Sequence, residues 1–309
     1  VASDSISISK SLVSPMPRRN LIRLQAFGAL KQCSVAPTAD TRSMPLSIAK
    51  PVPSVSPAST AALVEPIAFG LVVIGDEVLN GGRVDKHLPA FKQMLAARGH
   101  GLAWYWMLPD DPVVLTRQLA ASMALGDPVF CCGGIGATPD DHTRACAAAA
   151  ARVELVRHAE AKALIEERFG ADAYPNRILM ADLPEGCTLI ANPLNRIPGF
   201  GLRRHWFLPG FPQMAWPMAE SVLDTHYGRA SALLEQAFVV RGVPESTLVP
   251  MMRRLGERYP GLKLFSLPHL GDDPHILLGF RGHCDLGEAM DALHAELTAG
   301  GIAHQAAEC

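Results

Sequence analysis

The chain has 309 residues, 49% of them hydrophobic and 19% charged, with a formal net charge of −2. That balance leaves room for about two cores and offers no excess of positive charge to nucleic acid or an anionic membrane. No apolar run approaches the roughly 20 residues that span a bilayer, and the seven cysteines lack zinc-ribbon or redox spacing, which fits a reducing cytoplasm.

Charge is unevenly placed. Residues 1–64 hold seven Lys or Arg against two Asp, and they are rich in Ser and Pro with no sustained hydrophobic period. Such a segment cannot bury enough surface to offset chain entropy. It is expected to be a disordered leader, either an organelle transit segment or a start site assigned too far upstream. Order is expected from residue 65. Ile67–Ile74 (IAFGLVVI) has the continuous apolar pattern of a strand buried on both faces. Val84–Arg98 reads as an amphipathic helix presenting Leu88, Phe91 and Leu95, closed by Gly99. A strand at Gly101–Leu108, a helix at Pro112–Leu125 and a strand at Pro128–Cys132 follow. In that last strand Cys131 and Cys132 must point to opposite faces.

The stretch Gly133–Thr143 (GGIGATPDDHT) comes next and leads into an alanine-rich helix, Ala145–Ala151. Glycines let backbone approach a ligand closely, and the free amides and positive dipole end of a helix favour an anion. Strand–helix alternation over this half predicts an α/β domain, a parallel sheet with helices on both faces. Further helices are expected at His158–Phe169, around Pro175–Ala181 and at Pro212–Tyr227, with short strands near Thr188–Ala191 and His205–Leu208. From residue 231 the rhythm changes to β-α-β-β-α: Ala237–Arg241, Glu245–Tyr259, Lys263–Leu267, His275–Phe280 and Leu286–Thr298. The expected domains are therefore 65–230 and a small α+β unit at 231–309.

Asp76 lies just past the first predicted strand, and Asp140 and Asp141 just past the third. Ligand crevices of open α/β sheets lie outside those strand ends. Carboxylates from two loops could there hold a divalent cation against a pyrophosphate or orient a water. They could equally cap a turn and a helix.

Four blocks in order resemble the MoaB/Mog-like molybdopterin-binding domain, in the version at the N-terminus of CinA-type competence/damage-inducible proteins. They are Ile74–Gly81 (IGDEVLNG), Gly133–Thr143, Asn192–Phe200 (NPLNRIPGF) and Leu208–Met214 (LPGFPQM). The resemblance implies a MoaB/Mog-like fold followed by the small α+β domain, and a phosphorylated pterin or nucleotide as ligand. It implies Asp76 and Asp141 as catalytic and metal-binding residues for Mg, Mn or Co. It implies ligand contacts at Gly75, Glu77, Asp85, Gly133, Gly134, Gly136, Thr138, Asp140, Thr143, Gly199 and Gly210. The activity implied is a metal-dependent nucleotide pyrophosphatase of the ADP-ribose or FAD type, in a cytoplasmic homo-oligomer. Its alternatives are a non-catalytic molybdopterin-binding protein and a molybdopterin adenylyltransferase, the latter disfavoured by Ile135. Asp85-Lys86-His87 stands where the CinA type has Asp-Thr-Asn, and Gln213 replaces a Glu. The chain stops short of the amidase domain of many CinA proteins, so that activity is expected to be absent.

Overall fold

The structure, a computed structural model, describes residues 63–307. Residues 1–62 of the expected leader lie outside the described residues. The last two of that segment are described: Val64 bridges Ala230 and its N–H donates to the Arg229 carbonyl at 2.9 Å.

The apolar run forms β1 (Ala68–Ile74), buried beyond its first residue. It pairs in parallel with β2 (Gly101–Leu108) on one side and β3 (Val129–Cys132) on the other. Alternation sends its side chains both ways: Phe69, Leu71 and Val73 enter one core with Cys132, and Val72 and Ile74 enter the other with Cys131. Helices α2 (His87–Ala96) and α6 (Pro212–His226) cover the first face through Phe91, Leu95, Met218 and Leu223. Helices α3 (Pro112–Leu125), α4 (Thr143–Ala151) and α5 (Ala159–Phe169) cover the second through Leu115, Leu119, Ala147 and Ile165. Each fully buried aliphatic or aromatic side chain contributes about 1.5–3 kcal/mol, so the sheet is stabilised from both sides. α3 spans the residues expected for it, begun by Asp111, whose carboxylate accepts from Val114 N at 2.8 Å, and ended by Gly126 at φ 79°.

The sheet is not wholly parallel. Its order is β2-β1-β3-β8-β7-β6, and β8 (His205–Leu208) continues the parallel set. β7 (Gly199–Leu202) pairs antiparallel with both β8 and β6 (Thr188–Ile190). The sequence concealed β7 because Gly-Phe-Gly-Leu lacks β-branched residues and follows a proline. Its hairpin to β8 turns on Arg203 and Arg204, with φ of 50° and 63°, where an Asn-Gly pair would be the usual signal. Two more short strands, β4 (Leu155–Arg157) and β5 (Asp182–Pro184), pair antiparallel beside α4. The helix expected around Pro175–Ala181 is a single 3₁₀ segment, Arg177–Ala181.

The C-terminal region forms a separate antiparallel sheet, β10-β11-β9-β12. It comprises β9 (Leu234–Val240), β10 (Lys263–His269), β11 (His275–Gly282) and β12 (His304–Ala306). Helices α7 (Glu245–Arg258) and α8 (Gly287–Ala299) cover it around Leu248, Leu278, Phe280 and Leu293. β12 was absent from the expected pattern, because three residues cannot display a period. Among the described residues, no helix is long and apolar enough to cross a membrane.

Candidate functional site

A cleft of about 430 Å³ opens beyond the C-terminal ends of β1, β2, β3 and β8, lined by residues from each following loop. β1 delivers Gly75 and the short helix α1 (Asp76–Leu79). A Cβ on Gly75 would sit 2.8 Å from the Glu77 carboxylate, the movable end of that side chain. Glu77 and Arg83 both line the cleft. They are tied by a 3.5 Å ion pair and by the Arg83 N–H donating to the Glu77 carbonyl at 2.7 Å.

The β2 loop adds Asp110, which the sequence reading missed although it occupies the same strand-end position as Asp76. The two exchange hydrogen bonds: Asp76 N–H donates to Asp110 Oδ2 at 3.0 Å and Asp110 N–H to Asp76 Oδ1 at 3.3 Å. Burial pushes the Asp110 carboxyl above its ordinary range; a hydrogen bond from the Asp76 backbone opposes this, and the charges of Asp76, Glu77 and Asp140 add to it.

The β3 loop is locked by its own side chains. Asp141 accepts from Gly136 N–H at 2.9 Å, from Thr138 N–H at 2.8 Å and from the Thr138 hydroxyl at 2.6 Å. Thr143 donates its hydroxyl to the Gly133 carbonyl at 3.0 Å, and its N–H to the Gly134 carbonyl at 3.0 Å. A Cβ on Gly133 would lie 2.2 Å from the Ile74 carbonyl oxygen, and one on Gly134 would lie 2.2 Å from the Thr143 hydroxyl. Beneath the loop, the buried Arg144 donates to the Gly136 carbonyl at 2.8 Å, to the Asp182 carbonyl at 3.0 Å and to the Leu179 carbonyl. Gly133, Gly134 and Gly136 were expected to contact the ligand. Gly133 N–H instead donates to the Leu208 carbonyl at 3.0 Å and Gly136 N–H to Asp141. Gly134 and Ile135 keep amides with no acceptor among the described residues.

The far wall comes from the Asn192–Phe200 block and the Gly210 turn. His87 holds that turn through Nε2 and the Gly210 carbonyl at 3.1 Å, and burial lowers its pKa. Asn192 is buried, its Oδ1 accepting from Leu194 N–H at 3.0 Å and Asn195 N–H at 3.4 Å. Its Nδ2 has no partner among the described residues. Ile135, Met180, Ile197, Pro198 and Met214 give the cleft apolar lining alongside Glu77, Asp110 and Asp140.

Of the residues singled out from sequence, Gly75, Glu77, Gly133, Gly134, Gly136, Thr138, Asp140, Asp141 and Gly210 line the cleft. Four do not. Asp76 is exposed, with its carboxylate accepting from Asp110 N–H. Asp85 caps α2, accepting from His87 N–H at 2.7 Å and Leu88 N–H at 3.1 Å, which delays that helix from Val84 to His87. Thr143 is fully buried under the loop. Gly199 is buried in β7, where a Cβ would meet the Phe207 carbonyl oxygen at 2.4 Å. In the structure Asp85, Thr143 and Gly199 thus serve helix capping, loop closure and close strand packing. Asp76 and Asp141 were expected to form a shared metal site; among the described residues no three His, Cys, Asp or Glu side chains form a metal-binding group.

Residues 70–227 match the family model described as a probable molybdopterin binding domain. A CinA-like protein of Citrifermentans bemidjiense is 33% identical over 188 residues, covering 58% of this chain and 45% of its own length. The chain thus spans about half of that relative. A protein of Pyrobaculum calidifontis is 28% identical over 213 residues, covering 66% of this chain and 81% of its own. The crystal structure of a CinA protein of unknown function from Thermoplasma acidophilum superposes with a TM-score of 0.48 at 25% identity, covering 52% of this chain and 97% of that one.

Proposed function

The chain belongs to the family of probable molybdopterin binding domains, and from that premise we propose that the cleft binds a phosphorylated pterin or nucleotide as its divalent-cation complex and cleaves a pyrophosphate bond there. The observation that carries the reading is the composition of the cleft. Glu77, Asp110, Asp140 and Asp141 line it against a single cation, Arg83, among the described residues, while the Gly134 and Ile135 amides remain available to phosphate oxygens. A bare diphosphate would be repelled by these carboxylates, so a counter-cation must accompany it.

The donor set is all oxygen, which suits Mg²⁺, Mn²⁺ or Co²⁺. With no three-ligand group among the described residues, one or two carboxylates and the phosphates complete the shell, the habitual arrangement for Mg²⁺. Asp110 and Asp140 are the residues that would hold it. When bound, the cation would neutralise the diphosphate. Glu77 keeps Arg83 at the mouth, the loop amides orient phosphate oxygens, and the apolar lining shields the ring system from water.

A second reading, binding without turnover, is favoured by one observation. Both Asp141 oxygens already accept hydrogen bonds that hold the loop, which gives this carboxylate a structural part to play.

ADP-ribose and FAD, each incubated with the chain and with Mg²⁺, Mn²⁺ or Co²⁺, test both. Cation-dependent binding with AMP release by the wild type, lost in Asp110→Asn, is the expected result. Binding without AMP would leave the second reading. Absence of binding by calorimetry, with and without the cation, would overturn the proposal.

A further inference from the structure

Outside the cleft, two imidazoles face each other on the C-terminal sheet. His294 comes from α8 and His304 from β12, and His294 Nδ1 lies 2.8 Å from His304 Nε2. The ring centroids are 4.9 Å apart at 66°. His304 Nδ1 lies 2.8 Å from the Ile302 carbonyl. An acceptor there requires a donor, so Nδ1 carries the proton and Nε2 presents its lone pair toward His294. A carbonyl on the remote ring nitrogen is the partner that orients metal-ligating histidines. Phe238 packs on both rings, at 5.7 Å from His294 and 5.2 Å from His304. β12 is itself held in register, His304 opposite Val240 of β9.

We propose that His294 and His304 chelate a divalent copper or nickel ion, with water in the remaining positions. One hydrogen now joins the two nitrogens. His294 is exposed, so it can shift that hydrogen to Nε2 and face solvent with it, leaving two facing lone pairs in place of the N–H···N bridge. At metal–nitrogen bonds of about 2.0 Å, two ligands at a right angle lie about 2.8 Å apart, and two tetrahedral ligands about 3.3 Å. The observed 2.8 Å separation therefore matches the cis positions of a tetragonal Cu²⁺ or Ni²⁺ centre. Entry of the ion needs each ring to tilt so that its lone pair points off the N···N line, which surface side chains allow.

The protein contains an internal control. His269 and His275, on the β10–β11 hairpin, are also paired, but their rings stack at 4.6 Å and 7°. Nitrogens in parallel stacked planes cannot converge on one ion. Titration of the full chain with CuCl₂ and NiCl₂, followed by calorimetry and by the nitrogen hyperfine structure of the copper resonance, tests the site. One tight equivalent with two imidazole nitrogens is expected, weakened at least about tenfold in His294→Gln and in His304→Gln and unchanged in His275→Gln. Glutamine keeps size and hydrogen bonding, and circular dichroism of each variant verifies its fold. Wild-type titration curves in both the His294 and His304 variants would overturn the assignment, as would an equal loss in His275→Gln.

Discussion

Gly134 sits at φ 65° with its missing Cβ replaced by the Thr143 hydroxyl at 2.2 Å. Gly134→Ala adds both a left-handed strain and a collision, and should destabilise by about 2 kcal/mol or more, read as a lower midpoint in urea. Asp110 carries the opposite consequence. Its carboxyl is raised by burial and by neighbouring carboxylates, so in the folded state its ionised form is disfavoured. A raised group contributes stability below its unfolded pKa and loses that contribution as pH rises through the folded value. Asp110→Asn should therefore leave the fold at pH 7 as stable as wild type or more so, while abolishing cation-dependent ligand binding. A melting temperature that falls in this variant, together with retained binding, would reverse both assignments. Cation binding by the wild type should strengthen as pH rises through that raised value, and the variant should show no such dependence.

At the scale of elements, the β7–β8 hairpin holds two arginines in left-handed conformation. Each costs about 1 kcal/mol relative to residues suited to that region, and the pair delivers β8, hence the Gly210 turn, to the cleft. Arg203→Asn with Arg204→Gly supplies the turn chemistry this hairpin requires and should raise the melting temperature with cleft binding unchanged. On β8 itself, His205 is fully buried, with Nδ1 3.1 Å from the Arg203 carbonyl and Nε2 2.8 Å from the Ser122 hydroxyl. Burial lowers its pKa from 6.5 to about 4. A depressed value means stability that is complete above pH 6.5 and is lost as pH falls toward 4, by about 3 kcal/mol in total. His205→Gln should flatten the acid limb of the stability curve over that window. An unchanged slope would show that His205 does not govern it.

For the molecule as a whole, core membership is informative. The two clusters that sandwich the mixed sheet draw only on residues between Ile67 and Tyr227. The third cluster draws only on residues between Phe238 and Ile302. Hydrophobic burial is the dominant favourable contribution to folding, and none of these buried sets is shared. A fragment of residues 63–231 is thus expected to fold alone with cooperative melting and to retain cleft binding; a molten fragment would show that the C-terminal sheet is needed. The split near residue 230 was proposed from sequence on the change of strand–helix rhythm alone.

Much of this was legible in the residues themselves. The run at Ile67–Ile74, the Asp111-capped helix α3 and the opposed cysteines 131 and 132 follow from periods and caps that operate within about ten residues. The glycine loop announced itself because only glycine tolerates its dihedral angles and contacts. What β7 does, and whether Asp141, Thr143 or Asp110 faces the cleft, depends on partners more than thirty residues away or on which side of a loop is turned inward. Thr143 and Asp141 are both polar residues beside the same glycines, yet one is sealed beneath the loop and the other lies on its wall. The His294–His304 pair likewise exists only because β12 adds to β9 and brings it against α8. Local backbone preference is written in short spans of sequence; convergence of side chains is set by strand order, register and packing, and these exist only once the chain has folded.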